Sequence, residues 1–200
     1  MIDKIINKTT ELFLTLGFKS VTMDDIANEL GISKKTIYVH FENKTKLIEA
    51  VTFSVFENIS EGIDRICEQP HNPIEQLYDI KKYAMQYLRH EKTSPQYQLK
   101  KYYPLIYQRL QKKHFEKMQI SVKESLKTGI NTGLFRPNID VDFISRMYFN
   151  GMSGIKDETI FPKGLFDMEY LTESYLEYHL RAIVTDKGLE ILKKFINNQS

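Results

Sequence analysis

The chain has 200 residues, 42% hydrophobic and 27% charged, which suits one compact domain or a small head with a larger body and excludes wholesale disorder. A formal net charge of +2 excludes a uniformly basic surface, so any charge meant for nucleic acid must be local. No apolar run approaches the roughly 20 residues of a membrane-spanning helix, the start Met1-Ile2-Asp3-Lys4 does not read as a secretory signal, and the single cysteine, Cys67, forbids an internal disulfide, so a cytoplasmic protein is expected.

Helical spacing then dominates. Ile2, Ile5, Ile6, Leu12, Phe13 and Leu16 follow the 3,4 rhythm of an amphipathic helix, with Gly17 expected as a left-handed cap. A second helix starts at Thr22, where Thr22-Met23-Asp24-Asp25 reads as a capping-box variant with acids in the first turn. Met23, Ile26, Ala27 and Leu30 form its apolar face and Gly31 ends it. A third helix follows Ser33, with Ile37 and Phe41 facing inward. A fourth follows Asn43, carries Leu47, Ile48, Val51, Val55, Ile59, Ile63 and Ile66, and extends to Glu68, about 35 Å.

Pro70 and Pro73 mark a turn. Further helices are expected at 74–91, 96–128 with a break near Pro104, 140–156, 168–184 and 187–197. Gly129, Gly133 and Pro137 are expected to bound one turn, and Phe161-Pro162 with Gly164 another. No stretch alternates as a strand flanked by hairpin turns, so the expected class is all-α.

The informative segment is Thr22 to Lys46. Two short helices joined by Leu30-Gly31-Ile32-Ser33 have the spacing of a helix-turn-helix, whose second helix enters the major groove of DNA. A helix start carries partial positive charge and favours acids. The second helix complies with Asp24 and Asp25, whereas the third places Lys34 and Lys35 in its first turn and the fourth repeats the inversion with Lys44 and Lys46. Between Ser33 and Lys46 four lysines face one acid, Glu42. By themselves these lysines read as a solvated face; with two adjoining helix starts they form an arrangement in which an anion meets backbone N–H groups, dipole and ammonium groups together.

The run from Thr22 to Leu47, with Ile26-Ala27, Leu30-Gly31-Ile32-Ser33, Thr36-Ile37-Tyr38, His40-Phe41, Asn43-Lys44 and Leu47 at their intervals, strongly resembles the N-terminal domain of the tetracycline-repressor (TetR) family over residues 5–52. The resemblance implies a helix-turn-helix DNA-binding head at 1–46 and a helical ligand-binding and dimerisation body at 47–200. It implies that Thr22 caps its helix against a phosphate, that Lys34, Lys35 and Thr36 face bases and backbone, that Tyr38 and His40 reach phosphate or base, and that Lys44 holds a phosphate. Val39, where many members carry an aromatic, would meet a thymine methyl. Beyond the head the resemblance is one of length and helicity.

In the body, such families line a cavity with aromatic residues, so Tyr83, Tyr87, Tyr102, Tyr103, Tyr107, Phe115 and Phe149 are expected around a small apolar or aromatic effector, against the alternative of ordinary core and surface tyrosines. Two stripes, one with Phe143, Met147 and Gly151 and one with Leu171, Tyr175 and Tyr178, are expected to form a four-helix homodimer interface, against the alternative of intrachain core. A dimer suits a palindromic double-stranded operator. No catalytic motif, cofactor fingerprint or metal-ligand spacing of the histidines is found. The expected function is a ligand-responsive transcriptional repressor; the alternatives are an activator and a ligand-independent architectural DNA-binding protein.

Overall fold

A computed structural model describes residues 1–88, 95–162 and 164–197, with Tyr87 and Leu88 described by backbone alone. Among these residues lie ten helices: α1 (Ile2–Leu16), α2 (Met23–Leu30), α3 (Lys34–His40), α4 (Lys44–Cys67), α5 (Pro73–Leu88), α6 (Pro95–Tyr102), α7 (Pro104–Asn131), α8 (Val141–Gly154), α9 (Met168–Ile183) and α10 (Asp186–Asn197). The all-α expectation is met, and the break falls where Pro104 was expected to make it: Pro104 opens α7 as a first-turn residue whose missing N–H costs nothing there. The last positions of the helix expected at 74–91 lie outside the described residues.

The helices form two compact units that do not follow chain order. The first comprises residues 1–62 and 86–113. Its core gathers Ile5, Phe13, Ile26, Ile37, Leu47 and Ile48 from the N-terminal helices and Phe18 and Val21 from the α1–α2 connection with Leu99, Ile106 and Leu110 from α6 and α7. The head expected at 1–46 therefore lies inside this unit, and α6 shares its core. Gly17 has positive φ, as its place after α1 demands, but at φ 85°, ψ 157° it is not the left-handed cap expected. The chain instead extends at once, and the Phe18 N–H donates to Gln98 Oε1 of α6 at 2.9 Å. Gly31 does take the left-handed conformation, at φ 63°, ψ 32°. Its N–H donates to Asn28 and that of Ile32 to Ala27, closing α2 as a Schellman motif.

The second unit comprises residues 63–85 and 114–200. Its core packs Ile74, Leu77 and Tyr78 of α5 with Val122 and Leu126 of α7, Tyr148 of α8, Leu176, Leu180 and Ile183 of α9 and Leu192 of α10. Gly129, expected in a turn, belongs to α7, which continues to Asn131. The glycine is required by packing: a Cβ there would collide with the Phe135 ring folded back over the helix end. Phe135 and Val184 make a single antiparallel bridge, and the Arg136 N–H donates to Ile183 at 2.8 Å, tying the α7–α8 connection to the end of α9.

Candidate nucleic-acid interface and effector site

Three helix starts meet in the first unit. At α2 the capping box is complete: Thr22 Oγ1 accepts from the Asp25 N–H at 3.1 Å, and Asp25 Oδ2 accepts from the Thr22 N–H at 2.7 Å and its hydroxyl at 2.8 Å. These bonds hold the Asp25 carboxyl below its usual range, the backbone bond first. At α3, Ser33 Oγ accepts from the Thr36 N–H at 3.1 Å and lies 2.8 Å from the Thr36 hydroxyl. At α4, Asn43 Oδ1 accepts from the Lys46 N–H at 2.9 Å. Side chains thus occupy part of the hydrogen-bonding capacity that the inverted charges suggested was free for an anion.

Charge links the three starts. Lys34 Nζ of α3 pairs with Asp24 Oδ2 in the first turn of α2 at 2.8 Å, both exposed. Lys44 at the start of α4 lies within electrostatic range of Asp25, and partial burial pulls its ammonium below its usual range. Lys46 pairs with Glu49 at 3.1 Å. Lys35 is exposed beside them. On α3, Ile37 and Phe41 anchor the helix in the core while Tyr38 is 43% and Val39 73% exposed, and His40 is exposed as well. Thr22, Lys34, Lys35, Tyr38, Val39 and His40 are therefore solvent-facing, Thr36 and Lys44 half-buried. Val39 thus stands exposed on a seven-residue helix bordered by cations. The Lys34–Asp24 pair escaped sequence reading, since it spans ten positions across the turn rather than one helical turn.

The aromatic residues expected to share one effector pocket fall into different units. Tyr102, Tyr103 and Tyr107 belong to the first, where Tyr103 meets Phe18 edge-on at 6.2 Å and Tyr107 packs on the same core. The exposed Tyr102 ring carries the Lys19 ammonium at 4.2 Å. Phe115, Phe149 and Tyr83 belong to the second unit, and the Tyr87 side chain lies outside the described residues. Phe115 and Phe149 do meet, edge-to-face at 5.1 Å between α7 and α8. A separate cavity of about 320 Å³ is lined by Ile155, Lys156, Glu158, Phe161, Phe166, Asp167, Met168 and Leu171, none of them expected to bind an effector.

The expected dimer residues divide by exposure. Phe143 is 58%, Met147 46% and Tyr178 71% exposed, joined by Tyr170 at 60%, an apolar face on α8 and α9. Leu171 is instead buried within its own unit. Gly151 serves an intrachain contact: a Cβ there would strike the ring of Tyr175, whose hydroxyl donates to the Met147 carbonyl at 2.9 Å. Among the described residues no group of three metal-ligating side chains comes together, and no helix is long and apolar enough to cross a membrane.

Known proteins resemble this chain in sequence and in fold. The family described as bacterial regulatory proteins, tetR family, matches residues 5–51. The HTH-type transcriptional repressor KstR2 of Mycolicibacterium smegmatis is 23% identical over 198 residues, covering 93% of this chain and 92% of that protein. The crystal structure of a transcriptional regulator from Cytophaga hutchinsonii superposes with a TM-score of 0.76 at 20% identity, covering 92% of this chain and 98% of that one. The structure of SmeT, described as the repressor of the Stenotrophomonas maltophilia multidrug efflux pump SmeDEF, superposes with a TM-score of 0.65 at 17% identity over 93% and 91% of the two chains, and SmeT is also known in complex with triclosan.

Proposed function

We propose that the chain is a member of the tetR family of bacterial regulatory proteins, whose model matches residues 5–51, and that it is a cytoplasmic, homodimeric transcriptional repressor that binds a palindromic operator and is released from it by a small molecule. The observation that carries the reading is the meeting of three helix starts around an exposed recognition helix. Lys34 pairs with Asp24 and Lys44 lies within electrostatic range of Asp25, both in the first turn of α2, which supports a reading in which Thr22, Lys35 and Lys44 take phosphates while Lys34, Tyr38, Val39 and His40 face the groove. Phosphate contacts set register and the α3 side chains read bases.

The exposed face of Phe143, Met147, Tyr170 and Tyr178 supports dimerisation through α8 and α9, since a patch of large apolar side chains on two neighbouring helices marks an interaction surface. Effector binding within the second unit would change the spacing of the two heads; a difference of a few kcal/mol in effector affinity between two body states suffices to switch occupancy. The relative KstR2 and the fold neighbour SmeT, one a named repressor and the other a repressor known in complex with triclosan, support the repressor sign and the small-molecule response. Selection of bound fragments from a random duplex pool tests the proposal: an enriched inverted repeat is expected. Uniform recovery of all sequences would remove operator recognition, and an enriched duplex that no compound of a broad panel releases would leave a ligand-independent DNA-binding protein.

A further inference from the structure

Inside the second unit, the side chain of Gln119 on α7 is 8% exposed and Ser145 on α8 is fully buried. The Ser145 hydroxyl, with Gln119 Oε1 at 2.9 Å and the Asp142 carbonyl at 3.0 Å, bonds the amide's acceptor side. The amide nitrogen is sealed from solvent and has no hydrogen-bond partner among the described residues. A buried amide N–H without an acceptor is destabilising, and a leucine of similar volume would avoid the cost. One helical turn before Gln119 stands Phe115, and one turn after Ser145 stands Phe149; these two rings meet edge-to-face at 5.1 Å. The four side chains Phe115, Gln119, Ser145 and Phe149 therefore form one strip between α7 and α8.

No member of the strip is charged. His114, next to Phe115, is pushed down to about 4 by burial and then by the neighbouring Lys156, so it is neutral at pH 7. Arg146 lies over the Phe115 ring at 5.4 Å, but its own side chain is exposed. A charged ligand group would therefore find no buried counter-charge in the strip. An amide nitrogen donates and cannot accept, so its partner must carry an oxygen or nitrogen lone pair, and the ring pair favours a flat partner that can stack or meet an edge.

We propose that Gln119 is the polar anchor of the effector site, between α7 and α8, and that the site takes an uncharged, flat, largely aromatic molecule presenting one carbonyl-type acceptor. The inference rests on the small-molecule response proposed above. It is tested on the full chain with two probes of one shape, fluorenone, which has the carbonyl, and fluorene, which lacks it, titrated calorimetrically. The wild-type protein should prefer fluorenone by about tenfold, the worth of one buried hydrogen bond. Gln119→Leu should erase the preference while its urea midpoint stays level or rises. Gln119→Met, a flexible substitute of similar size, serves should the leucine variant lose helicity. Equal affinity for the two probes, or binding of neither, overturns the proposal, as does a preference that survives in a folded Gln119 variant. The regulator reading falls separately, when the duplex selection yields no enriched repeat or no compound of any shape releases DNA.

Discussion

Gly17→Ala measures whether α6 is part of the DNA-binding unit. At φ 85°, ψ 157° the residue occupies a region that is essentially open to glycine alone, where a side chain costs about 1–3 kcal/mol. A Cβ would also stand 2.7 Å from Gln98 Nε2, pushing away the amide whose oxygen accepts from the buried Phe18. Losing that bond adds about 1 kcal/mol, for a total of about 2–4 kcal/mol. Gln98→Ala alone loses the same bond and should cost about 1–2 kcal/mol. Because the bond is lost only once, the double variant should fall short of the sum by about 1 kcal/mol. Urea unfolding at fixed protein concentration, with amide exchange followed in α1 to α3, reads the cycle. Strict additivity, or a Gly17→Ala cost below about 0.5 kcal/mol, would refute the claim that α6 is latched to the head through this pair.

Lys44→Ala should weaken binding to every duplex alike and reduce the slope of log K against log salt by about 0.9, as one phosphate contact is removed; an unchanged slope takes Lys44 out of the interface. Asp24→Asn frees Lys34 from its carboxylate and removes a negative charge beside the expected phosphate, so operator affinity should rise a few-fold in titrations by fluorescence anisotropy while α2 loses a favourable first-turn acid. Burial pushes both His114 and His179 down to about 4, so each binds a proton more weakly in the folded protein than in the unfolded chain. Their contribution is complete above the ordinary value of 6.5 and is lost as pH falls toward the folded value. Between pH 7 and pH 5 each should remove ~2 kcal/mol from the second unit, seen as a falling urea midpoint; His179→Gln should make that fall shallower. Phe143→Asp places a charge on the exposed α8 face and should yield monomers by light scattering, with operator affinity lowered on the order of 100-fold as two linked half-sites become independent.

The head was legible because several local rules agree on the same residues. The Thr22 box, the glycine at Gly31 and the buried spacing of Ile26, Ile37 and Leu47 each fix the same turn, and the inverted charges at Lys34 and Lys44 single out the face. The partnering of the body was not legible, because a tyrosine's position along a helix does not say which core the helix joins. Tyr103 and Tyr107 carry the right chemistry for a pocket, yet they close the core of the first unit, where α6 and the start of α7 pack beside Phe18. Likewise Leu171 and Gly151 sit in stripes with dimer spacing but turn into their own chain, leaving Phe143 and Tyr178 outside; periodicity identifies a helix face without saying what covers it.

Gln119 marks the opposite limit. A glutamine in a helix rich in Gln, Lys and Glu reads as surface, and nothing in its neighbours distinguishes it. Its burial follows from α8 crossing at Ser145, a contact 26 positions away in the chain. Stability alone does not explain a sealed amide with one side unanswered, and recognition of an acceptor on a ligand is the role proposed for it above. Local cost without local return is the signature shared by Gln119 and by the lysines at the helix starts. At the head the cost is visible in the sequence, because the rule broken concerns a helix and its own first turn. In the body it becomes visible only when two helices are brought together.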